Sequence, residues 1–516
     1  MQQFEMIMAG LFSFLSKFSG LADKSVSAKQ SSPAEIFERF RNLLRSNNKA
    51  LEIIADMGEK LGGQYIFDNH YITTSVHGLT SAVHNSVDIL NTLDSAHHVL
   101  YPVHQRLKDQ LEAILNGEDD RQGPRIIAMD EIGPLQWSIV GGKMAHLAEI
   151  KAKLNLDVPP GFVITTGSYH DLIEFNELSG LVERFEKLWE DPSSDPEVFE
   201  AVRAELWNAI ARAQAPPKFI DLLTTTLDDM ASANSGPFSL AVRSSGREED
   251  LDFSFAGQFR SILHVPPAPE PVFNAYREVV QSLFDLESVC YRRRIFPDMG
   301  GMSIACGCQR MIDSAVSGVI HTVDPSELGK EILIVVGAPG QGAGVVEGEI
   351  PVDTFQIRKS TVPEIVSRYI NKKTMAFFPS ATWGLERRSL SDEQVERSCL
   401  DDTQLGELAR RAMQLENYFK RPQDIEWTFD KEGKLHLLQS RPLMVLSTNK
   451  DREHLPASLQ SYEQLSADRG RVAQQGIAAG QVFVVLTADD LQRFPDGAIL
   501  VSRSDSSRFV KVMHRA

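Results

Sequence analysis

Cysteine is scarce in this chain. Four thiols in 516 residues, Cys290, Cys306, Cys308 and Cys399, give no disulfide framework and fit a reducing compartment, so a cytoplasmic location is expected. Cys306-Gly-Cys308 is a lone C-x-C with no second pair, and it reads as two thiols packed in an apolar strand in preference to a metal site. Long runs of Lys and Arg are missing, and the net charge is −17. Both argue against nucleic acid or an acidic membrane surface as the main partner. The apolar run Met6-Ile-Met-Ala-Gly-Leu-Phe-Ser-Phe-Leu is too short to span a bilayer. It carries Glu5 where a signal peptide has a basic region and shows no convincing cleavage site, so it reads as a frayed tail or docking helix. There is no internal repeat and no G-x-x-x-x-G-K-[ST] loop.

With 42% hydrophobic and 24% charged residues the chain can bury sizeable cores, and its length predicts roughly three or more domains. After a Ser/Lys/Ala-rich tail and linker over 1–32, a helix is predicted from Ser32-Pro33-Ala-Glu35. Serine suits the N-cap, proline the first turn and glutamate the capping box. Leu51, Ile54, Met57 and Leu61 continue its stripe. Val76, Leu79, Val83, Val87, Leu90 and Leu93 form a second stripe, and Leu107, Leu111 and Leu115 a third. Residues 33–117 therefore read as a helical bundle, expected to fold independently and to serve association, as in a homo-oligomer. It is rich in histidine (His70, His77, His84, His97, His98 and His104), with His77 and His84 two turns apart. Solvated or core histidines in a docking bundle are the reading preferred over a metal or phosphate-accepting role.

Mixed helix and strand begin near Ile126. Val140-Gly141-Gly142-Lys143 places two glycines before a helix with lysine in its first turn, a helix start that attracts anions, although a solvated loop fits equally well. Residues 169–230 read as mostly helical, broken at Asp191-Pro-Ser-Ser-Asp-Pro196. Leu240-Ala-Val-Arg243-Ser-Ser is a short apolar strand that delivers an arginine and two serines into a loop. Beyond it, Ser254, Ala256 and Gly257 are small enough for close backbone approach to phosphate. Strands are predicted at Ser303–Ile312, Ala315–Thr322 and Glu331–Val336. The last runs into the glycine-rich Gly337–Gly348, read as a ligand loop or a flexible turn.

Gln423-Asp-Ile-Glu426-Trp-Thr-Phe and Lys434-Leu-His-Leu-Leu-Gln439-Ser-Arg441-Pro flank Asp430-Lys-Glu-Gly433 and predict a β-hairpin with positive φ at the glycine. Gln439 and Arg441, two apart, share a face. With Glu426 they form a set suited to magnesium-bound polyphosphate, the oxygens on the metal and the arginine on phosphate. From the hairpin alone, a buried Glu426–Arg441 ion pair reads equally well.

These stretches together resemble the nucleotide-binding half of the phosphoenolpyruvate synthase (pyruvate, water dikinase) and pyruvate phosphate dikinase family. The pieces, over roughly residues 135–445, are Gly141-Gly-Lys143, Pro159-Pro-Gly-Phe162, Ala241-Val-Arg-Ser-Ser245, Glu249-Asp-Leu251, Ser254-Phe-Ala-Gly-Gln258, Gln309-Arg-Met311, Ser317-Gly-Val319, Asp424-Ile-Glu-Trp427 and Leu438-Gln-Ser-Arg-Pro442. The resemblance implies an α/β (α+β) ATP-grasp domain of two lobes over 125–445, a linker over 446–465, and the start of a swivelling phosphohistidine domain over 466–516. It implies Mg2+ as cofactor and ATP as substrate. Lys143, Arg243 and Arg441 then contact the transferred phosphates as catalytic groups, and Ser254, Phe255, Ala256 and Gly257 cover the triphosphate. Gln309, Arg310, Met311 and Ile312 form the hinge strand at adenine, and Glu426 and Gln439 are the metal ligands. The implied reaction passes the β- and γ-phosphates to a histidine and then to pyruvate or a related acceptor, through a domain or subunit outside this chain. A non-catalytic ATP sensor or a subunit of a split phosphotransferase is the alternative.

The pattern is broken in three places. The family's Trp-Gly-Leu-Gly-Glu-like run is here Gly340-Gln-Gly-Ala-Gly344, with Ala343 where the acid is expected, so the ribose contact of that acid is not carried over. The usual Ala-Thr-Ala-Glu-Asp is Gly246-Arg-Glu-Glu-Asp250. His514 lies in Val-Met-His-Arg without the Gly-Gly that precedes the family's catalytic histidine, and is not assigned that role.

Overall fold

The computed structural model describes residues 33–61, 69–116, 121–191, 193–233, 236–246, 259–295, 302–324 and 331–443, with parts of 479–515. It divides into two compact units, one built on the N-terminal helices and one on the rest of the chain. Among the described residues no helix is long and apolar enough to cross a membrane.

The N-terminal unit contains helices Pro33–Leu61, Asn69–Leu93 and Leu100–Asn116. Its core is Ala50, Met57, Val76, Leu79 and Ala82, with Ile53, Ile54, Leu111 and Leu115 packed around it. The second and third stripes face inward as their spacing requires. The first is out of phase at one end: Leu51 is 44% exposed, and Ala50 turns inward in its place. Small alanine lets the neighbouring helix approach, and the buried row then runs Ala50, Ile53, Ile54, Met57, at helical spacing.

The larger unit mixes helices with two sheets. Strands β1 (Ile126–Ala128), β2 (Gly161–Ile164), β3 (Leu240–Ser245), β4 (Ser261–Val265) and β5 (Ala305–Arg310) form an antiparallel sheet in the order β1-β2-β5-β3-β4. One face is apolar: Phe162, Ile164, Leu240, Val242, Cys306 and Cys308 bury themselves against helices that contribute Phe185, Trp189, Leu206 and Leu223, and against Phe284 of a turn. The two thiols are thus core side chains, and burial pushes Cys308 well up. Each large apolar side chain buried there contributes about 1.5–3 kcal/mol. The strand period of two sends the intervening residues, Arg243 and Gln309 among them, to the opposite face. Helix Gly142–Leu154 covers that face so closely that a Cβ on Gly307 would meet the Met144 sulfur at 2.2 Å. The helices of 166–232 break as predicted, with Pro196 opening a helix whose N-cap Asp195 accepts from the Glu197 amide at 2.9 Å.

The second sheet holds β6 (Ser314–His321), β7 (Ile332–Pro339), β8 (Asp353–Arg358) and β9 (Glu364–Tyr369). After a separate two-stranded ribbon, β10 (Met375–Pro379) with β11 (Leu385–Ser389), it adds β12 (Gln423–Asp430) and β13 (Leu435–Pro442), giving the order β13-β12-β6-β7-β8-β9. A last pair, β14 (Val482–Val485) and β15 (Ile499–Ser502), is parallel. Trp427 is fully buried over two glycines of adjacent strands, Gly318 and Gly337, which are register partners. An added Cβ on Gly318 would meet the Val336 carbonyl at 1.9 Å and the Trp427 ring at 2.6 Å. That explains why Ser-Gly-Val and Asp-Ile-Glu-Trp occur together: the glycines make room for the indole.

The linker at 446–465, Ser254, Phe255, Ala256, Gly257 and His514 lie outside the described residues.

Candidate functional site

The hairpin forms as predicted, with Gly433 at φ 83°. Antiparallel register sets Asp424 opposite Arg441 and Glu426 opposite Gln439, so all four side chains share one face. A bulge beyond Glu426 makes Leu438 an extra residue, because Trp427 pairs with Leu437.

The Glu426–Arg441 pair considered above does not form. Glu426 is taken by Arg243 of the other sheet, whose Nη2 donates to Glu426 Oε2 at 2.5 Å and to Gln439 Oε1 at 3.2 Å. Arg243 Nη1 donates to the Leu438 carbonyl at 3.2 Å, the residue that the bulge releases. Arg441 instead holds Asp424, with Nε and Nη2 on Oδ2 at 2.8 and 2.7 Å. His321 of β6 stands 3.5 Å from the other Asp424 oxygen. Asp424 is the member of this cluster to which sequence reading gave no role. Its signal was present, an acid two residues before Glu426 and therefore on the same strand face.

The glycine turn before Lys143 is packed against the end of β3. Gly141 has φ 71°, and a Cβ there would lie 1.9 Å from the Ser245 carbonyl oxygen, so only glycine fits. The Gly142 amide donates to the Gly246 carbonyl at 3.2 Å, and the Met144 amide to Ser245 Oγ. Lys143 Nζ donates to Ser244 Oγ at 3.3 Å. Arg243, Glu426 and Gln439 therefore meet directly, Arg441 follows Gln439 two residues along the same strand face, and Lys143 is tied to Ser244, the residue after Arg243.

Gln309 and Arg310 end β5, and Met311, Ile312 and Asp313 carry the chain from the first sheet to β6 of the second. This connector is held by backbone bonds from Arg310 to Pro160 and from Met311 to Ser239, at 2.9 and 2.8 Å. The glycine-rich segment is no free turn. Gly337–Pro339 belong to β7, and Ala343–Val346 form one helical turn. Gly340, at φ 80°, is bonded from its amide to the Ala315 carbonyl and from its carbonyl to Ser317 Oγ. Gln341 bonds the Phe377 carbonyl of β10 through its amide.

In the N-terminal unit, His77 and His84 are both exposed. His84 lies 3.6 Å from Asp88, which accepts from the Tyr101 hydroxyl at 2.7 Å. Among the described residues no group of three or more His, Cys, Asp or Glu is placed to hold a metal ion.

Burial pushes the Asp424 carboxyl up. The His321 ring beside its Oδ1 and the Arg441 charge outweigh that and leave it below the usual aspartate range. A folded pKa below the unfolded one means that the contribution is present above about pH 4 and is lost as pH falls through the folded value. Asp424→Asn is therefore expected to lower stability at neutral pH and to flatten its fall in acid. Urea midpoints between about pH 6 and pH 2 test this; parallel curves for the two proteins would refute the pairing.

Residues 137–460 match the family described as pyruvate phosphate dikinase, AMP/ATP-binding domain. The chain is 30% identical over 409 residues to the phosphoenolpyruvate synthase of Escherichia coli, covering 76% of this chain and 51% of that protein. It is 28% identical over 391 residues to a probable phosphoenolpyruvate synthase of Methanocaldococcus jannaschii, covering 75% and 32%. It is 29% identical over 323 residues to the rifampicin phosphotransferase of Bacillus subtilis, covering 62% and 36%. The chain thus spans about half, or less, of the length of these relatives.

Proposed function

The chain belongs to the pyruvate phosphate dikinase AMP/ATP-binding family, and from that premise we propose that it is the nucleotide half of an ATP-dependent dikinase. The larger unit is read as an ATP-grasp fold, its two sheets as the lobes and the Met311–Asp313 connector as the hinge at adenine. The observation that carries this reading is the crossing of Arg243 from one sheet to two oxygens of the other. Glu426 and Gln439 converge on a single guanidinium nitrogen, at 2.5 and 3.2 Å. Oxygens that share one positive group are a donor set that fits a divalent cation such as magnesium. Magnesium bound there supplies charge neutralisation to a triphosphate.

The chain's own groups do the rest. Lys143 and Arg243 hold the phosphates from the first sheet, and Arg441, kept in position by Asp424, holds them from the second. In the proposed transfer a histidine nitrogen forms a bond to the β-phosphorus, the bond from that phosphorus to the α-phosphate bridge breaks, and AMP leaves. Positioning and charge neutralisation dominate such chemistry. The final acceptor is taken to be pyruvate or a related small molecule. Ala343, a methyl group where the family pattern has an acid, favours the second reading, a nucleotide sensor without turnover.

Calorimetry with ATP and AMP tests the assignment. Glu426→Ala is expected to weaken ATP binding in magnesium by on the order of 1–3 kcal/mol. In EDTA the loss should be far smaller, because the same change frees Arg243 for phosphate. Arg441→Ala is expected to weaken ATP more than AMP. No detectable ATP binding by the unaltered protein would overturn the assignment.

A further inference from the structure

Three side chains stand in one row across the hairpin and the strand beside it. Asp424 pairs with Arg441 on β13 and with His321 on β6, so all three share the face that carries Glu426 and Gln439. β6 leaves the connector at Ser314 and ends at His321, so the row lies at the end of the strand remote from the 311–313 connector. Both Arg441 bonds fall on Asp424 Oδ2, at 2.8 and 2.7 Å. Asp424 Oδ1 is buried and has no hydrogen-bond partner among the described residues. The polar atom facing it is His321 Nε2, 3.5 Å away on a half-buried ring. A buried carboxylate oxygen without a donor is costly. It also leaves the carboxylate loosely aimed, because the last torsion of aspartate is broad and one pinned oxygen does not fix its plane. On β7 the register partner of His321 is Ile334, a buried apolar side chain that offers no competing charge. Thr322, one residue on, turns to the opposite face and donates to Glu416.

We propose that His321 is a positioning residue for the phosphate site: its Nε2–H closes on Asp424 Oδ1, fixes the carboxylate plane and, through it, the direction of the Arg441 guanidinium. This role rests on the reading of Arg441 as a phosphate group. Either the Nε2–H tautomer or the imidazolium supplies the donor. The ring has to approach by only about 0.6–0.8 Å to reach the usual length of a bond to a carboxylate. With both oxygens held, the arginine fork is aimed in advance, and phosphate binding costs less side-chain ordering. Without the imidazole, Asp424 turns about its last torsion and Arg441 turns with it. The effect is confined to ligands that reach Arg441, so it falls on the β- and γ-phosphates and spares a nucleoside monophosphate.

ATP and AMP affinities measured by calorimetry test this. His321→Phe keeps a flat ring and removes the donor. It is expected to weaken ATP by about fivefold to tenfold, the effect of one hydrogen bond, and to leave AMP within about twofold. His321→Gln, whose amide puts a donor at similar reach, should recover most of the loss. In an Arg441→Ala background, His321→Phe should change ATP binding by less than about twofold, because the residue acts only through that arginine. An unchanged ATP affinity in His321→Phe, equal weakening of ATP and AMP, no rescue by glutamine, or the full loss persisting without Arg441 would each overturn the role while the nucleotide site stands. His321→Leu repeats the comparison should the phenylalanine variant not fold. If Arg441→Ala itself leaves the preference for ATP over AMP unchanged, the phosphate reading of Arg441 fails and the positioning role fails with it.

Discussion

Arg243→Ala is expected to lower ATP affinity by about two orders of magnitude or more and to destabilise the larger unit at the same time. The guanidinium makes three hydrogen bonds to the opposite sheet, to Glu426, Gln439 and the Leu438 carbonyl. Both members of the ion pair are largely shielded, with side chains 18% and 17% exposed. Truncating one partner of such a pair costs about 2–5 kcal/mol, much of it because the remaining carboxylate has lost its counter-charge. On the proposed reading the phosphate loses a contact as well. Arg243→Lys keeps the charge but not the fork, so it should recover only part of the loss. Titration calorimetry and thermal unfolding read the two effects separately. An alanine variant that binds ATP within about threefold of the unaltered protein would show that Arg243 is a structural strut and not a phosphate ligand.

Asp353→Ala is expected to produce the largest loss of stability without touching ATP. Asp353 opens β8 and forms an ion pair with Lys373 at 2.6 Å, both side chains wholly buried. The same carboxylate accepts from the Asn371 amide at 2.9 Å and the Cys399 amide at 2.8 Å, while Lys373 also donates to the Asn371 carbonyl. Burial and the Asp353 charge together push the Cys399 thiol well up. Removing the carboxylate strands an ammonium and two amides in the interior, at a cost of about 3–5 kcal/mol. For a unit of this size that is a fall in melting temperature of about 4–6 °C. The double change Asp353→Leu with Lys373→Met should recover much of it, because an apolar pair leaves no unpaired charge, although the two amides still lack their acceptor. A shift below about 2 °C for Asp353→Ala would mean that water reaches the pair.

Features set by local chemistry were legible in the sequence. The hairpin declared itself through alternation and a glycine at its turn, and Gly141 through its place before a helix. Pro196 marked its helix start in the same way. The pairing of charges was not legible. Arg243 and Glu426 are 183 residues apart, and nothing local says that this arginine takes Glu426 while Arg441 takes Asp424. The phase of the first helix failed at Leu51 because Ala50, small and unremarkable in a periodicity count, is the residue that a close neighbour requires. The glycine-rich segment read as a loop because glycine has low helix propensity. Its helical turn is imposed from outside, by bonds to Ala315, Ser317 and Phe377.

The glycines beneath Trp427 constrain how this sequence can drift. At Gly318 the obstacle to a side chain is a neighbouring backbone oxygen 1.9 Å from the added carbon, which no change at position 427 can relieve, so that position is frozen as long as the sheet keeps its register. At Gly337 the obstacle is the indole itself, at 3.0 Å. Alanine can arise there comfortably only after Trp427 has given way to a smaller ring. The reverse order passes through a crowded intermediate, and the smaller ring arriving first leaves a cavity. Descendants of this chain therefore have one immovable glycine and one pair of positions that must change in sequence, each step destabilising until the other is taken.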